Sequence, residues 1–357
     1  MSTAEDPSAR TVADLGEEGL LALIAPRLPH APGELVGSGD DCAVLAQPDA
    51  RVAVSTDVLV EGHHFRTGWS TGRDVGRRAA AQNLADAAAM GARPTALVVG
   101  LVLPPSTASA WVEDLAAGLA EGCAPCGAGV VGGDLSAGES LVVAVTVLGD
   151  LEGRAPVLRR GARAGDAVVH VGTLGRSAAG LALLDAGAAD GGAETALSPG
   201  ARQCVEVFRA PRPPLAAGPA LAACGAHAMM DVSDSLLRDA GRIARASGVV
   251  LDLDEPVEGA LAQDLALLEP VAVELAGLRA AAGSPSGPDP RALARRWVLT
   301  GGEDHGLLAT VPPEAVGGLP AGARVIGSVR PAQGPGRARV LIGGAEPDLG
   351  AGWDHFG

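Results

Sequence analysis

The amino-acid sequence predicts an α/β (α+β) protein in two halves, and three observations lead there. Strand-like apolar runs alternate with helical patterns along most of the chain. With 357 residues, 47% of them hydrophobic, there is chain enough for two domains with full cores. A connection over 149–165, carrying Arg154, Arg159, Arg160 and Arg163, then separates one half from the next. Residues 1–150 are expected to form the first domain and 151–357 the second.

The elements follow in order. Residues 1–12 read as a polar tail, and a helix over 17–27 is stopped by Pro29 and Pro32. Val52 and Val54 alternate with small residues into Ser55-Thr56-Asp57, which predicts a strand over 52–57 ending at that acidic group. An Ala-rich helical pattern covers 71–92, and in it Asn83 and Asp86, three apart, share a face. A strand over 96–103, a helix over 106–122 and strands over 129–132 and 141–149 complete the first half. In the second half strands are expected over 167–172, 249–253, 297–299 with 307–311, 324–326 and 339–342. Helices are expected over 177–186, 201–208, 215–224 and 235–246, with Gly-, Ser- and Pro-rich surface loops over 188–199 and 280–290. The sequence carries no short-period repeat.

Composition narrows the function. A formal charge of -15 argues against a nucleic-acid surface, and an anionic substrate would have to be met by metal or by placed arginines. Every basic residue is Arg, so a P-loop lysine, a Schiff-base lysine and a lysine base are excluded together. The longest apolar run, 96–103, is far too short to cross a membrane, and residues 1–14 are acidic; the expected location is the cytoplasm. Five cysteines, an odd number, suggest buried small hydrophobes and no disulfide framework. Cys123-Ala124-Pro125-Cys126 has redox-motif spacing, but it precedes a strand-like run and has no second pair with which to bind zinc.

Six acidic islands stand beside apolar runs: Gly39-Asp40-Asp41, Ser55-Thr56-Asp57, Asn83-Leu84-Ala85-Asp86, Gly132-Gly133-Asp134, Asp231-Val232-Ser233-Asp234 and Gly301-Gly302-Glu303-Asp304. One such island is ordinarily a turn or a helix cap. Six of them suggest one site. Converging carboxylates about 5 Å apart would repel by roughly 3 kcal/mol per pair at an effective dielectric near 20. Cations would remove that cost, and a donor set made of oxygens with no interleaved His or Cys favours Mg²⁺ over zinc.

In this order the islands, with Val58-Leu59-Val60-Glu61-Gly62-His63-His64-Phe65 after the second and Trp353-Asp354-His355-Phe356 near the end, resemble the thiamine-monophosphate kinases. That family belongs to the superfamily of aminoimidazole ribonucleotide synthetase, selenophosphate synthetase and the hydrogenase-maturation carbamoyl dehydratase, and the resemblance spans nearly the whole chain. It implies a two-domain aminoimidazole ribonucleotide synthetase-like fold. The first would be a mixed-sheet ATP- and Mg²⁺-binding domain that dimerises through its strands, the second an α/β domain, with ATP in a groove between them. Asp41, Ser55, Thr56, Asp57, Asp86, Asp134, Asp231 and Asp234 would hold several Mg²⁺ ions around the ATP phosphates. Gly133, Asp134, Arg159 and Ser233 would approach the nucleotide, and His64, Glu303 and Trp353 would contact thiamine monophosphate. Gly132 and Gly133 let backbone approach an anion closely, a use of glycine that also serves ordinary turns. Read plainly, His64 is a strand-edge polar residue and Trp353 a packed anchor.

Three positions depart from the family pattern: Ala85 where Ser is usual, Ser235 where Gly is usual, and His305 where Tyr is usual. None removes a carboxylate. The implied reaction is in-line transfer of the γ-phosphoryl group of ATP onto the acceptor's phosphate, for which no protein base is required because a phosphate monoester is already ionised at pH 7. Three rivals stand beside it. Selenophosphate synthetase uses a lysine, which this chain lacks; the hydrogenase-maturation enzyme ends in a reactive Cys, whereas this chain ends Asp354-His355-Phe356-Gly357. The third is a silent Mg²⁺- or nucleotide-binding dimer.

Overall fold

A computed structural model describes residues 10–37, 42–189, 194, 196–257, 259–283, 287–334 and 338–349. The chain divides into two compact units, one of residues 1–87 with 92–153, the other of 88–91 with 154–357.

In the first unit, helix α1 (Val12–Ile24) starts earlier than its apolar pattern because Thr11 and Asp14 form a reciprocal cap. The Thr11 hydroxyl accepts the Asp14 N–H at 3.3 Å and the Asp14 carboxylate accepts the Thr11 N–H at 2.8 Å. Strands β1 (Glu34–Val36) and β2 (Val44–Leu45) pair antiparallel. The main sheet is built from β3 (Ala53–Val60), β4 (Arg93–Leu103), β5 (Gly129–Ala137) and β6 (Val142–Asp150) in the order β3-β6-β4-β5. It is mixed: β4 and β5 run parallel, the other neighbours antiparallel. Strand β3 continues to Val60, so Ser55-Thr56-Asp57 lies in mid-strand and not at a strand end as the alternation suggested. Likewise β5 runs on past Gly132 to Ala137, which puts Gly132-Gly133-Asp134 inside it.

Helices α2 (Gly72–Ala89) and α3 (Ser109–Cys123) cross with touching backbones. A methyl group added at Gly76 would stand 2.1 Å from the Leu115 carbonyl oxygen, and one at Gly118 2.1 Å from the Arg73 carbonyl oxygen. Only hydrogen fits there. The alanines that fill the rest of α2, among them Ala79, Ala80 and Ala85, are buried. Val54, Val58 and Val98, by contrast, are exposed at 63%, 46% and 37%, and by strand alternation they stand on the sheet face away from Leu59 and Leu97.

The second unit has one six-stranded sheet: β7 (Ala167–Val171), β8 (Ala228–Val232), β9 (Val249–Leu253), β10 (Gly306–Val311), β11 (Ala323–Pro331) and β12 (Arg339–Ile342), ordered β12-β9-β11-β7-β10-β8. Only the β12–β9 pair is parallel. Around it stand α4 (Arg176–Asp185), α5 (Pro199–Arg209), α6 (Ala217–Ala223), α7 (Leu236–Ser247), α8 (Ala262–Ala281) and α9 (Pro290–Thr300). Val169, Val171, Leu221, Met229, Leu307 and Val311 form part of its core. The strand expected over 297–299 is instead the last turn of α9. Asp289 caps that helix by accepting the Ala292 N–H at 3.0 Å, Pro290 occupies its first turn, and Ala294, Trp297 and Val298 share its buried side. Strand β8 and helix α8 had no counterpart in the sequence pattern.

Candidate functional site

In the first unit, α2 is tied to β3 by side chains of the acidic islands. The Ser55 hydroxyl donates to Asp86 Oδ2 at 2.7 Å. Asn83 Oδ1 accepts the Asp57 N–H at 3.2 Å while its Nδ2 donates to the Ala79 carbonyl at 2.9 Å, which locks the amide orientation. Asn83 and Asp86 therefore do share the face that meets the strand. Asn83 is completely buried, and Ser55, Asp57 and Asp86 are half-buried.

Thr56 points the other way, as strand alternation requires. Its hydroxyl meets that of Thr146, its partner across β6, at 2.8 Å. Following the pairing from Thr56 to Thr146, Val98 and Gly132 across the sheet brings Asp134 and Ser136 onto this same face, where the Ser136 hydroxyl donates to Asp134 at 2.8 Å. The sheet thus sorts the candidates: Ser55 and Asp57 with α2 on one face, Thr56 and Asp134 on the other. Gly133 serves the sheet itself, since a methyl group on it would stand 1.9 Å from the Val99 carbonyl oxygen, while at Gly132 it would meet nothing within 4 Å. His64 sits in the turn after β3, its Nδ1 accepting the Val60 N–H at 3.0 Å, so a neutral ring carries its proton on Nε2.

In the second unit, Asp231 lies in β8, is 5% exposed, and stands 3.3 Å from Nδ1 of His305. Ser233 and Asp234 follow in the turn into α7. The Glu303 N–H donates to the Ser233 carbonyl at 2.7 Å and the His305 N–H to the Val232 carbonyl at 3.1 Å, which seats 301–305 on that turn. Glu303 and His305 both adopt positive φ, 69° and 53°, the left-handed backbone that non-glycine residues reach only under outside constraint. The constraint is Asp304 between them. Its buried carboxylate accepts the Thr173 hydroxyl at 2.7 Å and the Arg176 and Ser177 N–H groups at the start of α4, at 3.2 and 3.3 Å. Burial pushes its pKa up to about 6 against those hydrogen bonds. Arg159 is exposed in the segment leading to β7. Asp41 and Trp353 lie outside the described residues.

The departures are accommodated. Ser235 caps α7, accepting the Arg238 N–H at 3.1 Å from an extended backbone, and Ala85 is fully buried. Sequence reasoning missed Asp239 and Arg242. Asp239 is fully buried, burial raises its pKa to about 6, and its Oδ2 accepts the Asp234 and Ser235 N–H groups at 3.1 and 3.2 Å. The legible signal was an acid in the first turn after a Ser cap. Burial pushes Cys123 up to about 12 and raises Cys126 as well, so neither thiol has the low pKa of a redox cysteine.

The donors are carboxylate and hydroxyl oxygens, which suit a hard cation. Among the described residues, no three His, Cys, Asp or Glu side chains gather into a ready-made cation site.

Residues 39–151 match the family model of the AIR synthase related protein N-terminal domain, and residues 163–334 that of its C-terminal domain. A curated thiamine-monophosphate kinase of Mycobacterium tuberculosis is 46% identical over 350 residues, 97% of this chain and 93% of that one. The chain belongs to the thiamine-monophosphate kinase family. A solved thiamine-monophosphate kinase from Stenotrophomonas maltophilia is 29% identical, with a TM-score of 0.69 over 92% of this chain and 95% of its own. Another structure, the kinase AaThiL complexed with AMPPCP and TMP, is 28% identical with a TM-score of 0.69, over 96% of this chain and 98% of its own. Two AIR synthase-type domains are thus the fold of this chain as of the family.

Proposed function

We propose that the protein transfers the γ-phosphoryl group of ATP directly, in line, to the phosphate of thiamine monophosphate, giving thiamine diphosphate and ADP. The observation that carries this reading is likeness over the full chain to thiamine-monophosphate kinases, one of them solved with AMPPCP and TMP. Several bound Mg²⁺ ions would offset the repulsion between the two anionic substrates and the charge that develops on the transferred group. Ser55, Asp57 and Asp86 would contribute to holding them on the α2 side of β3, Asp134 and the Thr56 hydroxyl on the open side, and Asp231 and Asp234 in the second unit; Asp41 completes the assignment.

The chain's own residues orient and bind. Asn83 and the Ser55–Asp86 hydrogen bond hold strand to helix, so the carboxylates are positioned before substrate arrives. His64 offers an Nε2 proton to the acceptor substrate, and Glu303 is held by its bond to Ser233. Gly133, Arg159 and Ser233 are assigned to the nucleotide, and Trp353 with His64 and Glu303 to the thiamine moiety. No group need remove a proton, because the second pKa of a phosphate monoester, near 6, leaves the attacking oxygen ionised.

The reading includes a homodimer formed through the first domain. What supports it is the row of exposed valines on the open sheet face. Geometry adds a second argument: Thr56 and Asp134 share that face but stand on opposite edge strands, about 14 Å apart at normal strand spacing. Any one Mg²⁺ ion held by both residues would need ligands within about 4 Å of each other, a spacing that the edges of two copies brought face to face could supply and one copy does not. A cytoplasmic location goes with the same reading; none of the described helices is long and apolar enough to cross a membrane.

The deciding test is acceptor choice. Thiamine monophosphate should be phosphorylated with ATP and Mg²⁺, and unphosphorylated thiamine should not, because its hydroxyl has a pKa far above 7 and no base is assigned to it. Comparable turnover with thiamine would refute the mechanism.

A further inference from the structure

The Asp234 carboxylate is already held by guanidinium. Its Oδ2 takes a hydrogen bond from Arg242 Nη2, and Arg238 Nε stands 3.8 Å from the same oxygen. The other arm of Arg242 donates to Asp239 Oδ1 at 2.5 Å. Asp239 closes a ring, because its second oxygen binds the main-chain N–H of Asp234 itself. Burial is unequal: the Asp239 side chain is fully buried, while those of Asp234 and Arg242 are 15% and 29% exposed.

We propose that Arg242 is a resident counter-ion that occupies Asp234 until a divalent cation takes its place, and that Asp239 is the positioning residue that retains Arg242 when it lets go. This rests on the reading that Asp234 ligates Mg²⁺. The asymmetry gives the direction of exchange. A fully buried carboxylate left without its cation partner is costly, whereas the outer one can be handed to an ion that water and phosphate also reach. Arg242 therefore pivots about Asp239, and no covalent bond or proton is exchanged. Two consequences follow for the ion-free protein: the turn from Asp231 to Ser235 stays ordered, and a cation must compete with a guanidinium to enter.

The test uses Mn²⁺ alone as the probe, with free ion read by electron paramagnetic resonance on the full chain without nucleotide. Arg242→Gln should bind one Mn²⁺ about tenfold more tightly than wild type, equivalent to ~1.4 kcal/mol, and should melt at a lower temperature without the ion. Asp239→Asn should do the reverse, weakening that same site, because Arg242 is left with Asp234 as its one carboxylate. A merely structural role would weaken both. Arg242→Lys, which keeps the charge, should stay close to wild type and covers the case in which either neutral variant misfolds. Asp234→Asn separates the two levels of the argument. If it abolishes one Mn²⁺ site while Arg242→Gln binds no more tightly, the counter-ion is overturned and the ligand reading stands; if it abolishes none, both fall.

Discussion

His170, next to last in β7, is a residue whose chemistry only its surroundings reveal. It is fully buried, with Nδ1 3.3 Å from Arg324 Nη2, and burial together with that guanidinium pushes its pKa down from 6.5 to about 3. The sign follows. The unfolded chain takes up a proton below pH 6.5 that the folded chain refuses until about pH 3, so this histidine supports folding above 6.5 and withdraws that support as the pH falls through the window, by about 1.4 kcal/mol per unit. His170→Asn removes the titration. Urea unfolding at pH 7 and pH 5 should show the stability gap between wild type and variant shifting by about 2 kcal/mol against wild type at the lower pH. A gap independent of pH would mean that the ring titrates in the fold as it does in the unfolded chain, and a shift in favour of wild type at pH 5 would mean that it is held charged. The positive φ at Glu303 and His305 belongs to the same scale: nothing in the string Gly301-Gly302-Glu303-Asp304-His305 announces it, and the buried Asp304 carboxylate imposes it.

Helix α2 shows what spacing conveys and what it hides. The three-residue separation of Asn83 and Asp86 sets one face toward β3, as the pattern required. The glycines of α2 and α3 look like helix-weakening residues until the crossing is seen. At an exposed position Gly→Ala would stabilise a helix by about 1 kcal/mol. Gly76→Ala should reverse that sign, costing about 2–3 kcal/mol, because the added methyl would meet the Leu115 carbonyl at 2.1 Å and the helices would have to part. Thermal melting measures it, and an unchanged or raised Tm would show that the crossing is loose. Elsewhere the element pattern was misread for identifiable reasons. Trp297-Val298-Leu299 looks like a strand when its neighbours at helical spacing are ignored, and Pro270 inside α8 interrupts the one signal that would have marked that helix.

For the whole molecule, the open face of the first unit's sheet is the feature with the largest consequence. Val54, Val58 and Val98 put more apolar side chain into water than a sheet face that stays open to solvent ordinarily carries. Val58→Asp adds a charge at a position that already reaches water, so the chain should keep its circular dichroism spectrum. On the proposed dimer, sedimentation should find two copies associated for the wild type and one for the variant, and kinase turnover should fall with the loss of association. A Val58→Asp protein that remains dimeric would move the interface off this face.

By itself the sequence determined the fold class, the order of most elements, the absence of lysine chemistry and the oxygen character of the candidate donors, because alternation, helical period and side-chain type are properties of a string. The tertiary structure decided what depends on neighbours distant along the chain. It sent Thr56 and Asp134 to the face opposite Ser55 and Asp57, since a strand gives its residues to two sides and the sheet's pairing carries that choice across four strands. It also joined Asp234 to Arg242 and Asp239: an acid in the first turn after a Ser cap is legible in the string, but not that its carboxylate is buried and shares one guanidinium with Asp234.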